Sequence, residues 1–361
     1  MKPLRQGVFK STNPAFDKLI VVDKENGGTK ADASNAGVNV AKHPYFICTD
    51  VDCVLERNAL INMIQPVLKS KEVVIAVGAT MRMSNSCEVE SGIMTKTKLP
   101  KAIIPLYQEI EYLRSYLVGK MGFSVINAVH NVSGGLGLFN KEVVIAAGGY
   151  DPLSHAEDMD MTTRMIAYMV NYKQKYRVAQ IPDTCCWTEG PPTVKVLNRQ
   201  RTRWARGLLQ IFTIHRKYLF NRRYKQMGLI TFPYIFMFEF LAPIIEFLGY
   251  LFTIYLLFFG GINFNTVWIM LFFIYIAGLT LSFFTILFER KVSHMFTDRE
   301  YIRLFFFCIV EPILYHPLIV FFSIKGYIDF LSKKNFEWGQ MTRQGFNTNT
   351  PREEIRSSTA N

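Results

Sequence analysis

A long uncharged segment near the C-terminal end constrains the fold more than any other feature of this sequence. Residues 266–288 are rich in Phe, Ile and Leu and contain no charged side chain. An α-helix of that length crosses a hydrocarbon core of about 30 Å. A buried helix of a globular domain is the alternative, but the segment is long and lacks a polar stripe. The sequence therefore predicts an integral membrane protein.

A second apolar region precedes this segment. Residues 228–259 would extend about 48 Å as one helix, which is longer than the bilayer core. Pro233 and Pro243 predict a break in that helix. We therefore expect residues 228–240 to lie at the membrane interface and residues 241–259 to cross the membrane.

A third apolar region follows at residues 301–331 and contains Pro312 and Pro317. It predicts either one kinked span or a tight hairpin. Basic residues flank it at both ends and favour the hairpin, which returns the tail to the cytosol. The sequence thus divides into a cytosolic domain at residues 1–222, interfacial and transmembrane helices at 223–331, and a cytosolic tail at 332–361.

The charge distribution indicates how the chain lies in the membrane. The formal net charge is +12, but no Lys/Arg stripe alternates with aromatic residues and no nucleic-acid-binding motif is present. Nucleic acid is therefore excluded as a partner. The basic residues instead cluster beside the apolar regions, which marks the cytoplasmic side. We predict a multi-pass protein of the cell membrane, with its large domain in the cytosol and residues 260–265 as the outer loop.

The N-terminal part alternates short apolar runs with helical patterns, which predicts an α/β sheet flanked by helices. The predicted strands are residues 19–23, 45–49, 73–80, 132–139 and 176–181, and the predicted helices are 30–42, 56–68, 102–119, 141–147 and 157–171. In open α/β sheets, ligands bind at the carboxyl ends of the strands. Asp50 and Asp52 lie at such an end.

Two acidic groups are candidates for chemistry. Asp50 and Asp52 present hard oxygen ligands that suit Mg²⁺ or Mn²⁺, although a turn or cap would also explain them. Glu157 and Asp158 precede an amphipathic helix. They suit either a general base for an acceptor hydroxyl or carboxylates at the positive end of a helix dipole.

The block Gln200-Arg201-Thr202-Arg203-Trp204 contains side chains that suit binding of phosphate and of sugar. An Arg presents a planar fork to phosphate oxygens, and a Trp presents a flat face to a sugar ring. Basic residues before a membrane helix are ordinarily anchors on the inner side, and a Trp there is ordinarily an interface residue. Both interpretations apply to this block.

In combination these motifs resemble the processive family 2 glycosyltransferases, which include cellulose, hyaluronan, chitin and poly-N-acetylglucosamine synthases. The resemblance covers about residues 18–343, and the Gln-to-Trp block is its most specific element. It is carried, in order, by Lys30-Ala31-Asp32-Ala33-Ser34-Asn35, Thr49-Asp50-Val51-Asp52, Ser133-Gly134-Gly135, Gly148-Gly149-Tyr150, Glu157-Asp158 and Gln200-Arg201-Thr202-Arg203-Trp204.

The resemblance implies an α/β GT-A-like domain that transfers a sugar from a UDP-sugar to a growing polysaccharide, with inversion at the anomeric carbon. Asp52 would ligate Mg²⁺ or Mn²⁺, and Asp158 would be the general base. The implied substrate-binding residues are Lys30, Asp50, Ser133, Gly134, Gly135, Glu157, Gln200, Arg201, Arg203, Trp204 and Trp338. Trp338 belongs to a Trp-Gly segment that resembles the gating segment of these synthases.

Glu239, Glu246 and Glu311 lie within the apolar regions. Charged groups in membrane helices tend to face cavities, so these residues are candidates for lining a polymer path. Interfacial or helix-pairing roles would explain them equally well.

The resemblance also implies parts that residues 1–22 do not contain, namely N-terminal membrane helices and the strands that bind uridine. We therefore expect the C-terminal portion of a synthase with an incomplete nucleotide-binding sheet, and an N-terminal half that is encoded separately is one explanation. A catalytically inactive membrane fragment or scaffold is the alternative function. Overall similarity favours N-acetylglucosamine over glucose as the sugar.

Overall fold

The computed structural model describes residues 7–261 and 263–333. The strands are β1 (Gly7–Lys10), β2 (Ile20–Asp23), β3 (Tyr45–Thr49), β4 (Val54–Leu55), β5 (Val73–Met83), β6 (Glu88–Glu90), β7 (Ile93–Lys96), β8 (Leu136–Asn140) and β9 (Tyr176–Thr188). The helices are α1 (Lys30–Val40), α2 (Ala59–Lys69), α3 (Ile103–Leu113), α4 (Met121–Val125), α5 (Lys141–Ala146), α6 (Glu157–Asn171), α7 (Val194–His215), α8 (Phe232–Tyr234), α9 (Ala242–Phe259), α10 (Phe264–Val292), α11 (Asp298–Leu314) and α12 (His316–Leu331).

A five-stranded mixed sheet with the order β3-β8-β5-β9-β4 forms the centre of the N-terminal domain. The pairs β3–β8, β8–β5 and β9–β4 are antiparallel, whereas β5–β9 is parallel. Strand β5 is buried from its second residue onward, as expected for a central strand that is covered on both faces. The predicted α/β domain with helices against its sheet is confirmed.

Apolar side chains cover both faces of this sheet. Leu138 and Phe139 are neighbours on β8 and belong to different apolar clusters, because successive strand side chains point to opposite faces. Residues of α1, α5 and α6 pack in the first cluster, with Met161 and Met165 fully buried. Residues of α2 pack in the second. The two layers of helices hold the strand ends that carry the polar motifs.

The structure corrects several strand predictions. The predicted strand at 19–23 forms, but as β2 it pairs with β1 in a separate two-stranded ribbon. The predicted strand at 132–139 begins only at Leu136, because a turn precedes it in which the Leu136 N–H donates to the Ser133 carbonyl at 3.2 Å. Strands β5 and β9 both extend beyond their predicted ends, since they pair with each other out to Met83 and Thr188.

Within residues 7–261 and 263–333, two single helical segments are long and apolar enough to cross a membrane, Met227–Phe259 and Phe264–Val292. The predicted break within the first is wrong, because the helix is continuous. Its prolines lie at the starts of α8 and α9, and the turns Met227–Thr231 and Ile235–Leu241 are π-helical. Such turns lodge one extra residue without interrupting a helix.

The third apolar region forms the kinked arrangement and not the hairpin. Helices α11 and α12 meet at Tyr315 with a bend of 46°, whereas a hairpin would reverse the chain. Pro317 lies in the first turn of α12, and because it has no N–H to bond back to α11, the two helices do not continue as one regular helix. The basic flanks therefore favoured the wrong alternative.

Candidate functional site

One large cavity of about 1700 Å³ collects the predicted site residues. It opens between the strand ends of the sheet, α7, the apolar helical segment Met227–Phe259 and α12. Every predicted site residue that the structure describes lines it: Lys30, Asp50, Asp52, Ser133, Gly134, Gly135, Glu157, Asp158, Gln200, Arg201, Arg203 and Trp204. Trp338 lies outside the described residues.

The acidic pair follows β3 in a tight turn. The Asp50 N–H donates to the Gly135 carbonyl, and the Cys53 N–H donates to the Asp50 carbonyl, each at 3.2 Å. Potential ligand atoms of Asp50, Asp52 and Cys53 all lie within 4.8 Å of one another. Two carboxylates at this spacing fit a hard divalent cation such as Mg²⁺ or Mn²⁺, which takes its remaining ligands from water and phosphate. The thiol of Cys53 is a softer ligand and suits such an ion less well.

Lys30 joins the acidic pair to the glycine turn. It is the first residue of α1, and Thr29 caps that helix by accepting the Asp32 N–H. Its ammonium lies 2.5 Å from Asp50 Oδ1 and donates to the Gly134 carbonyl. Burial alone would lower the pKa of Lys30, but the charge of Asp50 raises it overall. Lys30 therefore stays cationic and offsets part of the negative charge of the site.

The second acidic group lies in the first turn of α6 and faces the same glycines. Asp158 Oδ2 accepts the Gly134 N–H at 2.9 Å, and Oδ1 accepts the Met159 N–H at 2.8 Å. Both sequence interpretations therefore apply, since Asp158 is a carboxylate at a helix start and also faces the cavity. Burial raises the pKa of the adjacent Glu157, and the charge of Asp158 adds to that rise.

Helix α7 brings the Gln-to-Trp block to the cavity. Thr193 caps this helix by accepting the Val196 N–H. The Gln108 Nε2 donates to Gln200 Oε1 at 3.2 Å, and Trp204 is partly exposed to the cavity. The fork of Arg201 is occupied by Glu111, with both N–O distances 2.6 Å. The sequence suggested that Arg201 binds substrate, but in the structure its guanidinium binds Glu111 of α3.

The sequence interpretation missed several polar residues of the cavity, including Glu111, Lys120, His130 and Asn131. Lys120 is the most informative of these. Burial lowers its pKa to about 8, although the charges of Asp158 and Glu239 oppose that change. The sequence did contain a signal for Lys120, because it is a single Lys within an apolar helical run. A Lys buried in such a run needs a charged or polar partner.

The acidic residues of the membrane region divide into two groups. Glu239 and Glu246 line the cavity, where they lie 3.3 Å from His130 Nε2 and 2.7 Å from His316 Nε2. Glu311 does not line it, because both of its oxygens accept from Arg114 at 2.6 and 2.8 Å. The polymer-path prediction for Glu311 is therefore wrong, and helix pairing describes it.

Lys120 gives a testable pH dependence of stability. Its folded pKa of about 8 lies below the ordinary value of 10.5, so the unfolded chain binds more protons between these pH values. The free energy of unfolding should therefore rise as pH increases from about 8 to 10.5. Thermal melts of the detergent-solubilised protein across this range would measure it. The rise should disappear in Lys120→Met and persist in the exposed control Lys71→Met; equal slopes in both variants would contradict the assignment.

Comparisons with known proteins were consistent with this geometry. Residues 8–88 match the model of glycosyl transferase family 2, and residues 108–283 match that of glycosyl transferase family group 2. A poly-beta-1,6-N-acetyl-D-glucosamine synthase of Staphylococcus epidermidis is 30% identical over 222 residues, covering 59% of this chain and 49% of the relative. The Staphylococcus aureus (strain COL) synthase of the same name is 29% identical over 224 residues, covering 61% and 47%.

The chain therefore spans about half the length of the curated relatives it matches. Among solved structures, a mannosyltransferase from Pyrobaculum calidifontis in complex with GDP-Man and Mn²⁺ is 17% identical, with a TM-score of 0.47 and coverage of 85% of this chain and 68% of that one. The family matches, together with the mixed sheet and the apolar helices that follow it, confirm the predicted GT-A-like fold class.

Proposed function

The chain belongs to glycosyltransferase family 2, and we propose that it transfers a sugar, with inversion, from a UDP-sugar to a growing polysaccharide at the cytoplasmic face of a membrane. One observation carries the proposal. The acidic pair, the carboxylate of Asp158 and the aromatic face of Trp204 line a single cavity, and that cavity continues along Met227–Phe259, a helical segment long enough to cross a membrane, and along α12. A transferase that elongates a polymer at a membrane needs these groups together.

The acidic pair would hold the metal. Asp52, with Asp50 beside it, would ligate Mg²⁺ or Mn²⁺, which when bound would offset the charge on the diphosphate leaving group. Lys30 supplies a fixed positive charge next to Asp50, and Arg203 adds another in the same cavity. Preorganised charges of this kind are often among the largest contributions to catalysis.

Asp158 is the proposed general base. It receives two backbone N–H bonds, which orient the carboxylate without using its proton-accepting capacity, because each oxygen has a second lone pair. The acceptor hydroxyl would lose its proton to Asp158 as its oxygen attacks the anomeric carbon, and the UDP would leave from the opposite face. Ser133, Gly134 and Gly135 line the same cavity, and the donor sugar would lie against them.

The Gln-to-Trp block and the membrane-side acids suit the acceptor. Trp204 offers an aromatic face for a sugar ring, and Gln200 lies on the same helix. Glu239 and Glu246 continue the polar lining of the cavity along the segment Met227–Phe259. We propose N-acetylglucosamine as the sugar, because the relatives reported above are named as N-acetylglucosamine polymer synthases.

The direct test is UDP release and polymer formation in purified membranes that contain the full chain. UDP-GlcNAc with Mg²⁺ or Mn²⁺ should give both, and UDP-Glc should give less. A parallel sample would supply, as a separate polypeptide, the part of a longer relative that this chain does not match, because the chain spans only about half of those relatives. Absence of donor-dependent UDP release in both samples would refute the proposed activity and leave the inactive scaffold as the function.

Metal dependence gives a second prediction. Removing divalent ions with EDTA should abolish UDP release, and Mn²⁺ or Mg²⁺ should restore it. Asp52→Asn loses a charged ligand, so the Mn²⁺ concentration for half-maximal activity should rise about ten- to hundredfold. Glu142→Gln removes an exposed carboxylate from α5 and should leave that concentration unchanged. Full activity in EDTA, or equal responses of the two variants, would contradict the metal assignment.

A further inference from the structure

Three side chains from separate elements meet at the cavity wall, which Glu111 and Arg201 line. Glu111 of α3 accepts both arms of the Arg201 fork at 2.6 Å. The Tyr315 hydroxyl accepts from Arg201 Nη2 at 3.2 Å and donates to Glu111 Oε2 at 3.2 Å. Arg201 and Tyr315 are 5% and 2% exposed, so these contacts are little screened by water. We call this group the Glu111–Arg201–Tyr315 cluster.

The cluster supports the aromatic face of the site. The Arg201 guanidinium lies 4.4 Å from the centre of the Trp204 ring, a distance at which a cation and a ring attract each other. Burial alone would lower the pKa of Arg201, but the charge of Glu111 raises it overall. The Arg201 side chain therefore stays charged and fixed by its fork, and Trp204 has a rigid support on one side.

The same cluster reaches the membrane helices. Tyr315 is the residue at which α11 ends and α12 begins, and its ring stacks on Tyr107 of α3 at 5.1 Å. The next residue, His316, faces the cavity and lies 2.7 Å from Glu246. One hydroxyl group thus connects the support of Trp204 to the bend of the third apolar region.

We propose that Glu111, Arg201 and Tyr315 act as a positioning device that fixes Trp204 relative to the α11–α12 bend and so determines how tightly the site holds the end of the acceptor carbohydrate. This inference rests on the proposed function. None of the three residues needs to touch the reacting atoms. Their effect is expected in binding of the carbohydrate and not in binding of the nucleotide, which lies toward Lys30 and the acidic pair.

Tyr315→Phe is the sharpest test, because it removes the shared hydroxyl and keeps the ring that stacks on Tyr107. Loss of one such hydrogen-bonding group should weaken binding of a β-1,6-linked N-acetylglucosamine pentamer about two- to tenfold. The KM for this pentamer should rise by a similar factor, with kcat and the affinity for UDP unchanged. Tyr275→Phe is the matched control, since its hydroxyl also bonds in the helical region, to the Ile309 carbonyl at 2.6 Å, away from the cavity.

Two further variants separate positioning from simple stabilisation. Arg201→Lys keeps the charge but loses the fork, so it should weaken pentamer binding at least as much as Tyr315→Phe. The double variant Glu111→Gln/Tyr315→Phe should show less than the sum of the two single effects, because both act through Arg201. Pentamer affinity that is unchanged in Tyr315→Phe would overturn the inference. Equal losses of UDP and pentamer affinity, with a lowered melting temperature, would also overturn it.

Binding and turnover of the pentamer are measured separately, so a failure of this inference can be distinguished from a failure of the proposed function. Pentamer binding is measured by calorimetry on the full chain in lipid nanodiscs and requires no turnover. A wild-type chain that binds the pentamer but transfers no sugar would refute the proposed activity alone. A wild-type chain that transfers sugar, with Tyr315→Phe indistinguishable from it, would refute the positioning device alone.

Discussion

Replacing Asp158 with Asn is expected to lower sugar transfer by about 10²–10⁴-fold, the usual contribution of a positioned general base. Asn cannot take a proton from the acceptor hydroxyl. Its size and position are otherwise the same, so nucleotide binding, which we propose depends on Lys30 and the acidic pair, should be preserved. Initial rates of UDP release and UDP affinity measured on the same membrane preparation would test both parts.

The local structure predicts a small cost in stability for this variant. Asp158 accepts one backbone N–H on each oxygen, from Gly134 and from Met159. An Asn side chain has only one acceptor oxygen, so one of these N–H groups would face an amide NH₂. A lowered melting temperature with folded protein is therefore expected, and activity should be compared at a temperature where both proteins are folded.

Glu157→Gln is the informative companion to Asp158→Asn. Glu157 is the neighbouring carboxyl group in the same cavity, and burial raises its pKa, so it is the competing candidate for the base. We expect Glu157→Gln to reduce activity less than Asp158→Asn. A larger loss of activity in Glu157→Gln would assign the general base to Glu157. Wild-type activity in both variants would exclude both residues as the base.

Replacing Arg82 with Met is expected to destabilise the protein by about 3–5 kcal/mol, the typical cost of leaving a buried charge without its partner. Arg82 lies on β5 and is fully buried. It contacts Glu109 at 2.5 Å and Glu289 at 3.0 Å. Glu289 belongs to α10, one of the two segments able to span a membrane, and also accepts from the Tyr301 hydroxyl at 2.6 Å.

Without Arg82, the carboxyl groups of Glu109 and Glu289 would remain buried without their positively charged partner. Burial already raises the pKa of Glu109, and the charge of Arg82 limits that rise. Thermal unfolding and expression level of Arg82→Met would measure the effect, with the exposed Arg57→Met as control. The triple variant Arg82→Met/Glu109→Gln/Glu289→Gln should recover part of the loss, because the unpaired charges are gone. A melting temperature of Arg82→Met equal to that of wild type would contradict the prediction.

This buried ion group also binds the N-terminal domain to α10. Glu109 accepts the Met83 N–H at 2.8 Å as well as the Arg82 contact, so α3 is bound to β5. Glu289 then binds α10 to the same arginine. Arg82 and Glu289 are more than 200 positions apart in the sequence, and no local pattern relates them.

The sequence predicted much of the site because its motifs are short and each lies at the start or end of a regular element. Lys30 begins α1, Asp50 follows β3, and Asp158 lies in the first turn of α6. Helix caps and strand ends are readable from local residue patterns. The direction of each side chain within the cavity was not readable, as Arg201 demonstrates.

The sequence by itself determined the apolar helices, the α/β alternation and the order of the polar motifs, because periodicity and charge act over a few neighbouring residues. Tertiary structure alone decided which groups meet. In the tertiary structure β9 pairs with β5, and Arg201 forms an ion pair with Glu111. Lys120 is buried near Asp158, and the third apolar region bends by 46° instead of folding back. These outcomes depend on contacts between distant segments, whose energies no local pattern encodes.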